Sequence, residues 1–312
     1  MKEFKIAFPE IDQSYSLMDL QKTVKGNVKQ ITGNIVTVLL NPKYCKAKKI
    51  YEGQIFYDKF TNEIKFQGKI IGEKSIKTNQ IRLWDDSLNN RIGLEIEKHF
   101  GLNYNANKMW DAVRFVANQY EISPPEQYLK NLTWKGDRNA IAKLLPTYLG
   151  AEDTELNAWI MEHMILGLIK RVFEPGSKFD EMMVLVGGQG IGKSTFARYL
   201  AIRDDWFCTI ENIQGKDAVM NLMGKTVVEI EEFVALRNAK SANEAKSFLS
   251  KLSDRIRIPY EKFSTDVPRT CILIGTLNER TFLNDHTGER RYLPVECHKE
   301  NRRKAIYIDK DF

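Results

Sequence analysis

Nine consecutive residues, Gly187, Gly188, Gln189, Gly190, Ile191, Gly192, Lys193, Ser194 and Thr195, have the composition of a phosphate-binding loop, G-x-x-x-x-G-K-S. Glycines let successive backbone N–H groups converge on phosphate oxygens. A lysine at Lys193 reaches the β- and γ-phosphates, and a hydroxyl at Ser194 ligates magnesium. Hydrolysis needs more: acids at a neighbouring strand end to hold the metal and activate water. The stretch from Lys225 to Phe233 supplies Glu229, Glu231 and Glu232 directly after apolar residues. If the strand continues, Glu229 and Glu231 share one face and Glu232 takes the other. A third apolar run, Thr270 to Leu277, ends in Asn278, an amide able to orient the attacking water. Arg290 and Arg291 follow Gly288-Glu289 and can neutralise transition-state charge, in cis or from a neighbouring subunit.

These groups require particular elements. Met182 to Val186 reads as a buried strand feeding the loop, and Thr195 to Ile202 as the helix leaving it. Apolar strands separated by helical stretches continue to about residue 298, an α/β pattern. Upstream, 85–172 has a helical texture: Asp85 or Ser87 suits a cap, Lys108 to Tyr120 has apolar residues at helical spacing, and Ser123-Pro124-Pro125 breaks the run. An amphipathic helix from about Glu152 to Phe173 stops at Pro175-Gly176. From Ile31 to Ile71 the texture is β-like, with IVTVLL, IYEGQIFYD and EIKFQGKII as strand candidates. The expected division is a basic N-terminal segment with a small β element at 1–84, a helical region at 85–178, a catalytic core at 179–298, and the start of a further element at 299–312.

The chain has 312 residues, 43% hydrophobic and 28% charged, which excludes a mainly disordered or collagen-like protein. Its N-terminus lacks the apolar core of a secretory signal, and the longest apolar stretch is interrupted by charges, so no membrane partner and a cytoplasmic location are expected. Four Cys and four His show no zinc-type spacing. The net charge of +6 is not spread evenly. Residues 1–80 hold 14 Lys against 8 acids, whereas residues 81–312 hold 33 basic and 33 acidic side chains. A lysine-rich segment either attracts polyanions through counterion release or is an ordinary solvated face.

The ordered set of motifs resembles the virulence-associated protein E family, grouped with phage primase–helicases and superfamily 3 helicases. The resemblance rests on Tyr128-Leu129, Glu174-Pro175-Gly176, the loop at 187–195, Gly215-Lys216-Asp217-Ala218, Gly224-Lys225 with Glu229 and Glu232, Val267-Pro268-Arg269, Gly275-Thr276 with Asn278, and Arg290-Arg291-Tyr292. It implies an α/β P-loop NTPase core of the AAA+-like, superfamily 3 helicase type. It implies ATP and Mg2+ as cofactors, single-stranded DNA and replication proteins as partners, and a hexameric ring. The family pattern places acids at Glu229 and Glu232; the extra Glu231 leaves Glu229/Glu232 and Glu231/Glu232 both tenable. Glu232, common to both, is assigned to water activation, and Glu229 or Glu231 to magnesium. A hairpin before the third strand carries the pore residues of such helicases, here Arg255, Arg257 and Lys262, with Tyr260 or Phe263 suited to stacking. No paired-acid polymerase signature precedes the core, so primase activity is not expected. The expected function is a DNA helicase, translocase or replication-initiation ATPase of a prophage or genomic island. The alternatives are an ATP-switched assembly factor that does not unwind and a P-loop small-molecule kinase.

Overall fold

The computed structural model describes residues 6–8, 18–45, 50–70, 81–133, 137, 139–231, 239–257, 263–278 and 289–306. The chain divides into two compact units, Lys2–Gln127 and Tyr128–Phe312. The boundaries expected at 84/85 and 178/179 fall inside these units. The helix at 106–118 packs on the N-terminal strands, with the helix at 86–100 packed on it in turn, and the helix at 155–173 packs on the later sheet, so texture changes do not mark where contacts are sparse.

The first unit begins with helices α1 (Thr32–Leu40) and α2 (Pro42–Cys45), followed by strands β1 (Tyr51–Asp58), β2 (Glu63–Ile70) and β3 (Ile81–Leu83). Helices α3 (Asp86–Phe100) and α4 (Ala106–Asn118) and the short β4 (Glu121–Ile122) complete it. The sheet order is β3-β2-β1-β4. The strand candidates IYEGQIFYD and EIKFQGKII are β1 and β2, paired as an antiparallel hairpin in register from Tyr51↔Ile70 to Asp58↔Glu63. Its turn is set by the buried Asp58 carboxylate, which accepts from Phe60 N at 2.9 Å and from Lys65 Nζ at 2.7 Å. Asp85 does cap α3, accepting from Leu88 N, and Gly101 ends that helix in the left-handed region. Phe56, Phe66, Trp84, Ile92, Val113 and Val116 fill the core.

The run IVTVLL is helix α1 and not a strand. A short apolar run cannot be told from a buried helix by periodicity alone. Here Ile35, Val38 and Leu39, at helical spacing, are buried against α4, and this burial outweighs the β preference of Ile and Val.

The unit boundary falls within α5 (Pro124–Lys130), and the second unit continues through α6 (Leu144–Leu149) and α7 (Glu155–Phe173) into an α/β core. The Thr154 hydroxyl caps α7 by accepting from Asn157 N. The buried Arg171 of α7 donates to Phe179 O and Cys271 O at 2.7 and 2.6 Å, fastening the helix to the sheet. The core elements are β5 (Met182–Val186), α8 (Lys193–Leu200), β6 (Phe207–Ile210), α9 (Gly215–Leu222), β7 (Val227–Ile230), α10 (Ala239–Ser250), β8 (Ser253–Ile256), β9 (Thr265–Pro268), β10 (Ile272–Leu277) and β11 (Tyr292–Glu296). Five strands form one parallel sheet in the order β11-β5-β10-β7-β6. β5, β7 and β10 are buried along their whole length, as parallel strands covered on both faces must be. No helix among the described residues is long and apolar enough to cross a membrane.

β8 and β9 pair antiparallel from Ser253↔Pro268 to Ile256↔Thr265, a two-stranded ribbon leading into β10. Its base is held by the buried Arg269 guanidinium, which donates to Asp254 Oδ2 at 2.7 Å and to Phe248 O, and lies over the Phe248 ring. A buried charge stripped of its partner costs several kcal/mol. Asp254→Ala is therefore expected to lower unfolding free energy by about 3 kcal/mol, measured by urea denaturation. A loss below about 1 kcal/mol would show that the pair does not hold the ribbon.

Candidate functional site

Parallel strands place their C-terminal ends on one edge, and the groups singled out from sequence gather there. β5 ends at Val186 and the glycine-rich loop begins at once; α8 then starts at Lys193. Gly187 lies so close to the chain after β11 that a Cβ would stand 2.4 Å from Cys297 O and 2.8 Å from Ile191 Cδ1. Only glycine fits. Cys297 N donates to Val186 O at 2.8 Å and Arg302 to Ile191 O at 3.3 Å, so the loop is braced from behind.

β10 lies between β5 and β7, which brings Asn278 and Glu229 to the loop. Lys193 is buried, and its Nζ donates to Gly187 O, to Gly188 O at 2.9 Å and to Asn278 Oδ1 at 3.4 Å. Burial pushes the Lys193 pKa below the usual lysine value, against the opposing pull of Glu229. Ser194 Oγ donates to Glu229 Oε1 at 2.6 Å. Glu229 is fully buried and also accepts from Thr276 Oγ1 at 2.9 Å and Thr209 Oγ1 at 3.4 Å. Thr209 stands directly opposite Glu229 on β6. Residues 189–195, Glu231, Thr276, Leu277 and Asn278 line a cavity of about 340 Å³.

Of the acids, Glu229 is thus buried on the Ser194 hydroxyl, and Glu231 is exposed at the cavity rim. Glu232 lies outside the described residues. Of the two threonines that hold Glu229, Thr209 was not singled out from sequence, and Thr276 was named only as part of the family pattern, with no role. The available signal was a hydroxyl inside each of two apolar strands, FCTI and ILIGTL, where it needs a buried partner.

The arginine pair is placed elsewhere. Arg290 and Arg291 immediately precede β11, whose Tyr292 is in register with Met182 at the start of β5. They stand at the N-terminal edge of the sheet, a strand length of roughly 15 Å from the loop end. Arg291 is paired with Asp180 at 3.0 Å, and Arg290 is exposed. Both border a separate cavity of about 450 Å³ with His163, Lys170 and Lys178. Neither arginine is placed beside the loop of its own chain.

In the ribbon, Arg255 and Arg257 alternate with the buried Asp254 and Ile256 and share the exposed side, with Arg255 3.7 Å from Asp266. Lys262 and Tyr260 lie outside the described residues. Phe263 is 81% exposed.

A lysine ammonium, backbone N–H groups at a helix N-terminus and a hydroxyl–carboxylate pair are a donor set for a polyphosphate and a hard cation. Among the described residues no group of three His, Cys, Asp or Glu side chains is placed to hold a metal. One hydroxyl and one carboxylate are the kind of partial ligand set with which magnesium is usually shared between protein and phosphate oxygens.

No curated protein matches this chain. Among solved structures, the apo structure of the NrS-1 C-terminal region (305–718) aligns with a TM-score of 0.50 at 16% identity, over 88% of this chain and 64% of that one. An A-form apo structure of the same region gives the same values. A further A-form structure gives 0.49 at 14% identity, over 88% and 63%. This chain spans less than two thirds of those structures, and the likeness is one of fold. The model of the virulence-associated protein E-like domain matches residues 129–311, the whole site included. Over more than half its length, and in the unit that carries the glycine-rich loop, the chain belongs to the virulence-associated protein E-like domain family.

Proposed function

We propose that the chain is an ATP-driven DNA helicase or translocase, or replication-initiation ATPase, with a P-loop NTPase core that acts on single-stranded DNA as a ring oligomer. The observation that carries this reading is the convergence of Lys193, Ser194, Glu229 and Asn278 at the C-terminal edge of three adjacent strands. Family membership supports a replication-associated role in DNA processing.

In the proposed cycle, loop N–H groups from 188 to 195 bind the phosphates of ATP and Lys193 neutralises the β- and γ-oxygens. Ser194 and Glu229 would hold magnesium; the short Ser194–Glu229 hydrogen bond supports that choice over Glu231. Magnesium, when bound, withdraws charge from the phosphates. Asn278, already within reach of Lys193, orients the attacking water, and Glu232 takes its proton. Arg290 is the exposed member of the arginine pair. Its place at the far edge of the sheet supports service to the nucleotide of a neighbouring subunit, which makes turnover a property of the assembly. The ribbon of β8 and β9 ends at the start of β10, whose other end carries Asn278, so one strand joins the nucleotide site to the candidate DNA contacts Arg255 and Arg257; Lys262 is the third candidate contact.

Two experiments test the reading. Wild-type ATP turnover should rise on adding single-stranded DNA, and Lys193→Ala should reduce it to background with and without DNA. Retained turnover in that variant removes the site assignment, and turnover indifferent to DNA favours the non-unwinding switch. Arg290→Ala and Lys193→Ala proteins should each be inactive alone and regain turnover when mixed, because mixed assemblies contain interfaces with both residues intact. Absence of recovery on mixing would sink the role in trans.

A further inference from the structure

The first unit holds a charged feature that the motor reading does not use. Residues 21–29 form a short finger. Its arms meet at the Lys22↔Val28 bridge, with Lys29 N donating to Gln21 O at 2.9 Å. Its turn is closed by Thr23 N to Asn27 O at 2.7 Å and Gly26 N to Thr23 O at 2.9 Å, with Gly26 at φ +84°. That backbone conformation favours glycine.

The finger is pinned from below. Asn34, 1% exposed, donates to Gln21 O at 2.9 Å and to Lys29 O at 2.8 Å, and accepts from Gln21 N at 2.8 Å. One side chain thereby holds both arms. On this ordered base the tip presents Val24 with its whole side chain in solvent, at 108% relative exposure. A β-branched residue at the tip of a pinned turn contributes nothing to the core.

Around the tip stand three exposed lysines, Lys22 on one arm, Lys25 beside Val24 and Lys29 on the other arm. No ion pair holds any of them among the described residues. Lys43, by contrast, is tied to Asp19 at 3.2 Å. The finger lies in the segment that carries the entire net positive charge of the chain.

We propose that this finger is a binding site for duplex DNA, separate from the single-strand contacts of the motor. Lysines neutralise phosphates and release condensed counterions, which makes affinity steeply salt-dependent. Cations on both arms of a narrow turn match the two phosphate rows that flank a groove, whereas a single strand offers one row. The apolar tip between them can lie against sugars or base edges within the groove, as apolar wedges do in minor-groove proteins.

The test uses the full chain without nucleotide, so it reads the finger independently of turnover. Fluorescence anisotropy with a labelled 20-base-pair duplex and a matching single strand is followed from low to moderate salt. Lys22→Ala/Lys25→Ala/Lys29→Ala should weaken duplex binding by about tenfold or more at low salt. The slope of log affinity against log salt should fall by about one per lysine. Val24→Ser should weaken duplex binding with the slope unchanged, since its contact is not ionic. Unaltered melting temperatures would confirm that the finger variants are folded. An unchanged slope in the triple variant overturns the site, and equal losses for duplex and single strand overturn the duplex assignment. ATP turnover stimulated by single-stranded DNA should survive in the triple variant, which keeps failure of this site distinguishable from failure of the motor reading.

Discussion

A carboxylate removed from water must be satisfied by hydrogen bonds, and Glu229 is removed completely. Three hydroxyls satisfy it, from Ser194, Thr209 and Thr276, each on a different element. The order of the central strands meets that requirement. β6 lies beside β7 and brings Thr209 opposite, and β10 lies on its other side and brings Thr276 within reach. With β10 so placed, Asn278 falls beside Lys193, and β5 takes the next position with the loop at its end. The first turn of α8 is held to the sheet through the same carboxylate. Placement of the candidate chemistry and satisfaction of one buried charge are the same geometric problem.

The signals that were legible in sequence were local. A strand, a glycine-rich loop and a helix follow one another within about twenty residues, and their types dictate each other. The surroundings of Glu229 are not local, because Thr209 and Thr276, which donate to it, are separated from it by 20 and 47 positions. The place of the arginine pair is likewise a matter of register: Arg290 follows Asn278 by only twelve residues, yet a return to the start of the sheet intervenes. The helix at 32–40 shows the opposite failure. Its residues favour a strand one by one, and packing against a helix some seventy residues later decides otherwise.

The division of the chain follows the same rule. Helical texture begins near residue 85, but α3 and α4 complete the core around Trp84 and Phe66, whereas α7 is bound through Arg171 to the parallel sheet. Composition marks the kind of element, and contacts mark the unit to which it belongs.

The Lys193 ammonium lies in the loop with its protons already directed at the carbonyls of Gly187 and Gly188. Most of the work of taking this cation out of water was done when the chain folded, which is why burial depresses its pKa. An anion entering the loop exchanges two neutral acceptors for a charged one and meets a cation with little hydration left to lose. Preorganisation of this kind lowers the reorganisation cost of association. It shifts the selectivity of the loop toward ligands of high charge density, since a weakly charged guest does not compete with carbonyls already in place.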